Sequence, residues 1–234
     1  MVKDEMTGLS IPGTAAQAAL FDLDGTLVAT EHRSRAAWTR LFEAHGLPVD
    51  EALLAGFVGR RGDEALAEHV HRFPGRTVQE LFNEALGYLN GPDSPPAYAV
   101  PGAEALVRRL HADGVPIAVV TSGLRKHAVE LLQLVGGADL FAAMISAEDV
   151  RQGKPHPEGY QSGCAALEVD PNRAVAFEDA PAGIAAAKAA GLTCVGITST
   201  HPAAALRAAD TVVSDLTEVD WPSLAAGPLS PNVA

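Results

Sequence analysis

From Ala103 onward the chain alternates short apolar runs with stretches of helical spacing, and this alternation restricts the fold more than any other feature of the sequence. The runs Ala18–Leu23, Pro116–Val120, Ala142–Ser146, Ala174–Phe177, Thr193–Ile197 and Thr211–Val213 read as buried strands. Between them, Ala103–Asp113, Arg125–Val135, Glu158–Leu167 and Ala182–Ala190 have helical spacing, and Gly114, Gly136 and Gly191 supply the expected stops. Consecutive strand–helix units imply an α/β fold, a parallel sheet with helices on both faces.

The alternation fails once. Between Val28 and about Pro101 no convincing buried strand occurs, and the patterns are helical instead. In Arg35–His45, residues Trp38, Leu41, Phe42 and His45 follow i, i+3, i+4, i+7, and Asp63–Val70 and Val78–Leu89 are similarly amphipathic. The segment closes in Asn90-Gly91-Pro92-Asp93-Ser94-Pro95-Pro96, a loop composition. The expected organisation is therefore an α/β core of residues 17–28 and 98–226, a small helical cap of residues 29–97 inserted after the first strand, and loose ends at 1–16 and 227–234. Ligands of open parallel sheets bind outside the carboxyl ends of the strands, so an insertion leaving the first strand there overhangs the site as a lid.

Lys plus Arg minus Asp plus Glu is 17 − 29 = −12, a field that repels polyphosphate chains and argues against a nucleic-acid partner. Cys164 and Cys194 form neither a disulfide framework nor a thiolate metal site, which fits a reduced compartment. The apolar runs are far shorter than the roughly 20 residues a bilayer span requires, and the opening residues lack a basic segment followed by an apolar one. A cytoplasmic protein without a membrane partner is expected.

Four polar clusters follow predicted strands. Phe21-Asp22-Leu23-Asp24-Gly25-Thr26 sets Asp22 and Asp24 on one side of the chain and Leu23 on the other. Two carboxylates side by side point to a cation or to proton transfer; Asp-Gly is also a common turn pair. Thr121-Ser122-Gly123 offers a hydroxyl and free amides suited to phosphate oxygens, or a plain helix cap. In Arg151-Gln152-Gly153-Lys154-Pro155-His156-Pro157, the two prolines fix the backbone around Lys154, although a lone Lys is usually a solvated charge. Glu178-Asp179, before Ala180-Pro181-Ala182-Gly183, places two more carboxylates where a strand stops and a helix starts, where they also favour the positive helix end.

Taken in order, these clusters resemble the haloacid dehalogenase-like hydrolases, the superfamily of aspartate-dependent phosphatases and phosphomutases with a Rossmann-like core. The resemblance runs from Phe21 to about Thr198. Gln152–Pro157, Glu178–Gly183 and Val58-Gly59-Arg60-Arg61 further resemble the subgroup of glycerol-phosphate, 2-deoxyglucose-6-phosphate and bacterial sugar phosphatases. The resemblance implies a Mg²⁺-dependent phosphatase acting on a small phosphorylated sugar or polyol through an aspartyl-phosphate. Asp22 would be the nucleophile and Asp24 the general acid and base. Thr121 and the amides of Leu23, Ser122 and Gly123 would hold phosphoryl oxygens, and Lys154 would offset charge. Mg²⁺ would take Asp22, Asp179, Glu178 and the Asp24 backbone carbonyl.

The second Asp sets the chain apart from dehalogenase members, which lack it. The mutases carry a His just after the first motif where this chain aligns Ser34, with His32 close by, so hydrolysis is favoured over β-phosphoglucomutase-like action. Phosphoglycolate is an alternative substrate, and an inactive metabolite- or partner-binding relative is the non-enzyme alternative. Arg60 and Arg61 are the candidates for reading the substrate's remainder, against a solvated pair on a loop. Trp38 and Phe42 read as cap core, His156 as a turn cap, and no His as a metal ligand. A monomer or weak dimer is expected.

Overall fold

The computed structural model describes residues 16–221, so the expected loose ends, apart from Ala16, and the last residues assigned to the core lie outside the described residues. Among the described residues there are eight strands: β1 Ala18–Phe21, β2 Val28–Ala29, β3 Tyr98–Ala99, β4 Ile117–Val120, β5 Ala143–Ile145, β6 Ala174–Glu178, β7 Thr193–Ile197 and β8 Thr211–Val213. The α-helices are α1 Glu31–Ala44, α2 Glu51–Ala55, α3 Gly62–Ala67, α4 Val78–Leu89, α5 Ala103–Ala112, α6 Arg125–Leu132, α7 Glu158–Ala166 and α8 Pro181–Ala189. All six predicted runs join one parallel sheet of order β5-β4-β1-β6-β7-β8. The first strand therefore lies inside the sheet, between β4 and β6, and their carboxyl ends share one edge.

Period-two alternation divides the strand side chains between two layers. Phe21, Val119, Phe177 and Val195 face one hydrophobic cluster with α5 and α6, whereas Leu20, Val120, Ala176 and Cys194 face another with α7 and α8. Phe21 stacks on its register partner Phe177 at 4.6 Å, locking the two strands that deliver the acidic groups. A sheet covered on both faces leaves mainly its strand ends for polar chemistry.

The helical segment builds a third cluster around Trp38, Leu41, Phe42, Leu66 and Leu81, and α1 packs along α4. Thr77 and Glu80 form a reciprocal capping box at the start of α4. Three local features differ from the sequence reading. The root of the segment is a two-residue antiparallel ribbon, Val28–Ala29 on Tyr98–Ala99, too short to leave a periodic signal. Helix α2, capped by Asp50, was not foreseen because five residues barely exceed one turn. Finally, Gln133–Val135 is a 3₁₀ turn where the helix of Arg125–Val135 was expected to continue, and α3 stops at Ala67, short of the expected Val70, where a 3₁₀ turn Val70–Arg72 begins.

Candidate active site

Strand β1 ends at Phe21, yet the Asp22 N–H still donates to Phe177 O at 3.0 Å, so the sheet register fixes the first carboxylate before the chain leaves. The chain then turns sharply: Gly25 N–H donates to Val28 O at 2.7 Å, with Gly25 at φ +91°. A Cβ at Gly25 would lie 2.1 Å from Asp179 Oδ2, so both backbone and space demand glycine. The turn reading and the chemical reading of Asp-Gly are thus both realised, one producing the other.

Lys154 is buried and donates to Asp22 Oδ1 at 2.5 Å and to Glu178 Oε1 at 2.6 Å. It is no solvated surface charge. Burial opposes its ammonium, but the Asp22 and Glu178 carboxylates outweigh that penalty and hold its pKa above the ordinary lysine range. Burial pushes Asp22 well up, Lys154 opposing and Glu178 adding repulsion; burial likewise raises Asp179, to about 7. Tyr160 donates its phenol to Glu178 Oε1 at 2.6 Å, and Thr26 donates to Asp179 Oδ1 at 3.4 Å.

One oxygen of each carboxylate stays unpartnered. Among the described residues, Asp22 Oδ2, Glu178 Oε2 and Asp179 Oδ2 are buried without a hydrogen bond. The three residues each offer a ligand atom, all within 4.8 Å of one another. A buried acceptor left unmade costs about 1–3 kcal/mol, more when charged. Three hard oxygens converging beside a single lysine fit a divalent cation that would satisfy all of them.

Asp24 is held separately: its Oδ1 accepts from Thr30 at 2.7 Å and its Oδ2 from Thr121 at 3.4 Å. Its carboxylate is not in the converging group, so its sequence assignment to the metal rests on the backbone carbonyl alone. The Thr121-Ser122-Gly123 turn differs from the expected row of free amides. Gly123 N–H donates to Thr121 Oγ at 2.9 Å, and Ser122 Oγ donates to Gly59 O at 3.4 Å, joining core to helical segment. Nor is the turn a plain cap. Leu124 occupies the N-cap of α6, and Glu148 accepts from Arg125 N–H at 3.0 and 3.2 Å. Leu23 buries its side chain in the core between the two aspartates.

A cavity of about 530 Å³ opens over Asp22 and Asp24, its far walls contributed by α1, α3 and α4. Arg60 and Arg61 both reach it, but neither fork is idle. Arg60 pairs with Glu68 and donates to Gly56 O at 3.2 Å; Arg61 pairs with Asp63 at 2.8 Å and donates to Val150 O at 3.4 Å. They form neither a bare anion clamp nor a solvated pair. Trp38 lines the cavity while stacking on Phe57 at 4.3 Å, and Phe42 belongs to the cluster behind it. Ser34 lines the cavity, whereas His32 turns to Pro96 O at 2.8 Å and stacks on Tyr98. His156 accepts from Glu158 N–H at 3.3 Å, as a turn cap does.

Three site residues escaped the sequence reading: Thr30, Tyr160 and Glu31. Thr30 precedes a helix and Tyr160 sits on an apolar helical face, so neither stood out from ordinary structure. Glu31 occupies the first turn of α1 and lines the cavity, where burial raises its pKa to about 7 against the pull of Arg35.

A family model described as haloacid dehalogenase-like hydrolase matches residues 16–191. The chain belongs to this family. Among its relatives, the validoxylamine A 7'-phosphate phosphatase of Streptomyces hygroscopicus subsp. limoneus is 51% identical over 208 residues, 89% of this chain and 98% of the relative. Hexitol phosphatase A of Escherichia coli (strain K12) is 32% identical over 202 residues, 86% of this chain and 91% of the relative. In fold, this hydrolase resembles a β-phosphoglucomutase from Clostridium difficile, with a TM-score of 0.75 at 24% identity over 88% of this chain and 93% of that one. Among the described residues, no helix is long and apolar enough to cross a membrane.

Proposed function

We propose that this hydrolase is a Mg²⁺-dependent phosphatase for a small phosphorylated sugar or polyol, working in the cytoplasm as a monomer or weak dimer. The observation that carries the reading is the gathering of the Asp22, Glu178 and Asp179 carboxylates, each with one buried unpartnered oxygen, beside a cavity that Asp22 and Asp24 line. The relatives named as phosphatases of validoxylamine 7'-phosphate and hexitol phosphates support the substrate class. The position of Ser34 in the cavity, with His32 turned away, supports hydrolysis over phosphoryl return to a second hydroxyl.

In this reading Asp22, Glu178, Asp179 and the Asp24 carbonyl hold Mg²⁺, which supplies charge neutralisation and alignment for the transferring phosphoryl group. Asp22 attacks phosphorus and forms an aspartyl-phosphate as the bond to the departing alkoxide breaks. Asp24, oriented by Thr30 and Thr121, gives that alkoxide its proton. It then takes a proton from the water that attacks phosphorus and releases Asp22. Lys154 opposes the burial that raises Asp22 and offsets charge on the phosphoryl oxygens, which Thr121 and the amides of Leu23, Ser122 and Gly123 engage. Engagement by Gly123 requires its amide to leave Thr121 Oγ.

Residues 29–97 act as the specificity cap, with Arg60 and Arg61 at the substrate's far end. The test is phosphate release from a panel of hexitol, hexose 6-, glycerol and cyclitol phosphates and phosphoglycolate, with Mg²⁺ and with EDTA. Release from a polyol or sugar phosphate that EDTA abolishes is the expected result. No release in either condition overturns the reading in favour of a binding protein.

A further inference from the structure

Glu178 carries two strong donors on a single oxygen. Its Oε1 accepts from both Lys154 and Tyr160 at 2.6 Å, while Oε2 accepts from none. Lys154 alone cannot fix this arrangement, because the same ammonium also serves Asp22 Oδ1 at 2.5 Å on a flexible four-carbon stem. The Tyr160 phenol is rigid by comparison. Its ring is fully buried beside Leu20, Val120 and Ala176, and it sits in the first turns of α7, directly after the loop that carries Lys154. The ring also lies under the lysine ammonium, 5.3 Å from centroid to Nζ. Gly183 also packs closely on the Glu178 carboxylate: a Cβ there would lie 2.0 Å from its carboxyl carbon.

We propose that Tyr160 is a positioning residue of the metal site, its hydroxyl pinning Glu178 by Oε1 so that Oε2 is kept for the cation shared with Asp22 and Asp179. This deepens, and rests on, the phosphatase reading above. Partners behind a metal ligand typically change metal affinity by about 10–100-fold when removed. A buried tyrosine that merely finds an acceptor for its hydroxyl would instead affect folding and leave the ion alone.

Tyr160→Phe keeps the packing and deletes only the donor. Calorimetric titration of wild type and variant with Mg²⁺ should show binding weaker by about tenfold or more in the variant. Half-activation should shift to correspondingly higher Mg²⁺, with kcat at saturating Mg²⁺ close to wild type. In a cycle with Glu178→Gln, the second substitution should make the Tyr160 effect vanish. Equal Mg²⁺ affinity in wild type and Tyr160→Phe overturns the positioning role while leaving the phosphatase reading standing. Failure of the wild type itself to bind Mg²⁺ overturns both. Should the Phe variant not fold, wild type labelled with fluorotyrosine provides the decision: the Tyr160 fluorine resonance should move along the calorimetric Mg²⁺ curve, and a resonance indifferent to Mg²⁺ overturns the inference.

Discussion

On the sheet side of the cavity, Asp22, Lys154, Glu178 and Asp179 are each no more than 5% exposed, arrive on strand ends or the loop beside them, and leave three carboxylate oxygens unpartnered. On the helical side the charged residues are partly exposed and largely satisfy one another: Arg60 with Glu68, Arg61 with Asp63, and Arg76 with Glu84 and His45. Parallel-sheet register can place groups against a desolvation penalty because a hydrophobic layer on each face pins the backbone. Short helices around one small cluster leave their ion pairs near solvent, where each is worth about 0–1 kcal/mol. The sheet side is thus built to hold one reactive arrangement, and the helical side can change its charges at little cost. In the proposed reading, chemistry belongs to the first and substrate choice to the second.

Substitutions on the two sides should therefore differ in size and kind. Among changes that leave the nucleophile in place, the largest effect is expected for Asp24→Asn, which should lower kcat on an alkyl phosphate by about 10²–10⁴ while leaving Mg²⁺ affinity nearly unchanged, since its carboxylate lies outside the converging group. Calorimetry and steady-state rates on the same preparation check both halves.

The next effect concerns pH. Burial raises Asp22, and raises Asp179 to about 7, so the metal-free fold binds more protons than the unfolded chain. The Asp179 contribution to stability is full below about pH 4 and is lost as pH rises through about 7, and the raised Asp22 acts in the same direction. Between those limits these two groups should lower the melting temperature of the EDTA-treated protein, and Mg²⁺ should restore it most at the alkaline end. Replacing Asp179 by Asn should remove much of that slope.

Across the cavity, Arg60→Ala should reorder the substrate panel by about tenfold in kcat/KM, within the 1–3 kcal/mol a few contacts can redirect. p-Nitrophenyl phosphate, which lacks a polyol to read, should change far less. Smallest of all, Thr77→Ala should cost about 1 kcal/mol of stability by removing the capping box of α4, with kcat/KM unchanged. A loss of turnover in that variant would mean that the helical side takes part in the chemistry, and the contrast between the two sides would collapse.

The same contrast explains what could be read from the sequence. Buried parallel strands leave uninterrupted apolar runs, so all six sheet strands were legible, and polar residues immediately after such runs had little to do but chemistry. Asp22, Asp24, Glu178 and Asp179 stand out in that way, and Lys154 by the two prolines that follow it in the loop after β5. Thr30 and Tyr160 were not, because a threonine before a helix and a tyrosine on its apolar face look like ordinary capping and packing until their partners are known. The present partner of the Gly123 amide was illegible for a related reason: sequence shows that an N–H exists but not that Thr121 Oγ accepts from it. In the helical segment, Trp38, Leu41 and Phe42 gave the packed face of α1 directly. The intramolecular partners of Arg60 and Arg61 come from neighbouring turns and a core loop, which periodicity does not report.

Rapid quenching of turnover on a reactive polyol phosphate, followed by borohydride reduction and peptide mass analysis, tests the covalent step most directly. An aspartyl-phosphate at Asp22 is reduced to homoserine, so the modification should appear at that residue alone, require Mg²⁺, and be absent from Asp22→Asn, which should also release no phosphate. Undiminished turnover by Asp22→Asn, or a reduced residue at any other position, would contradict the account.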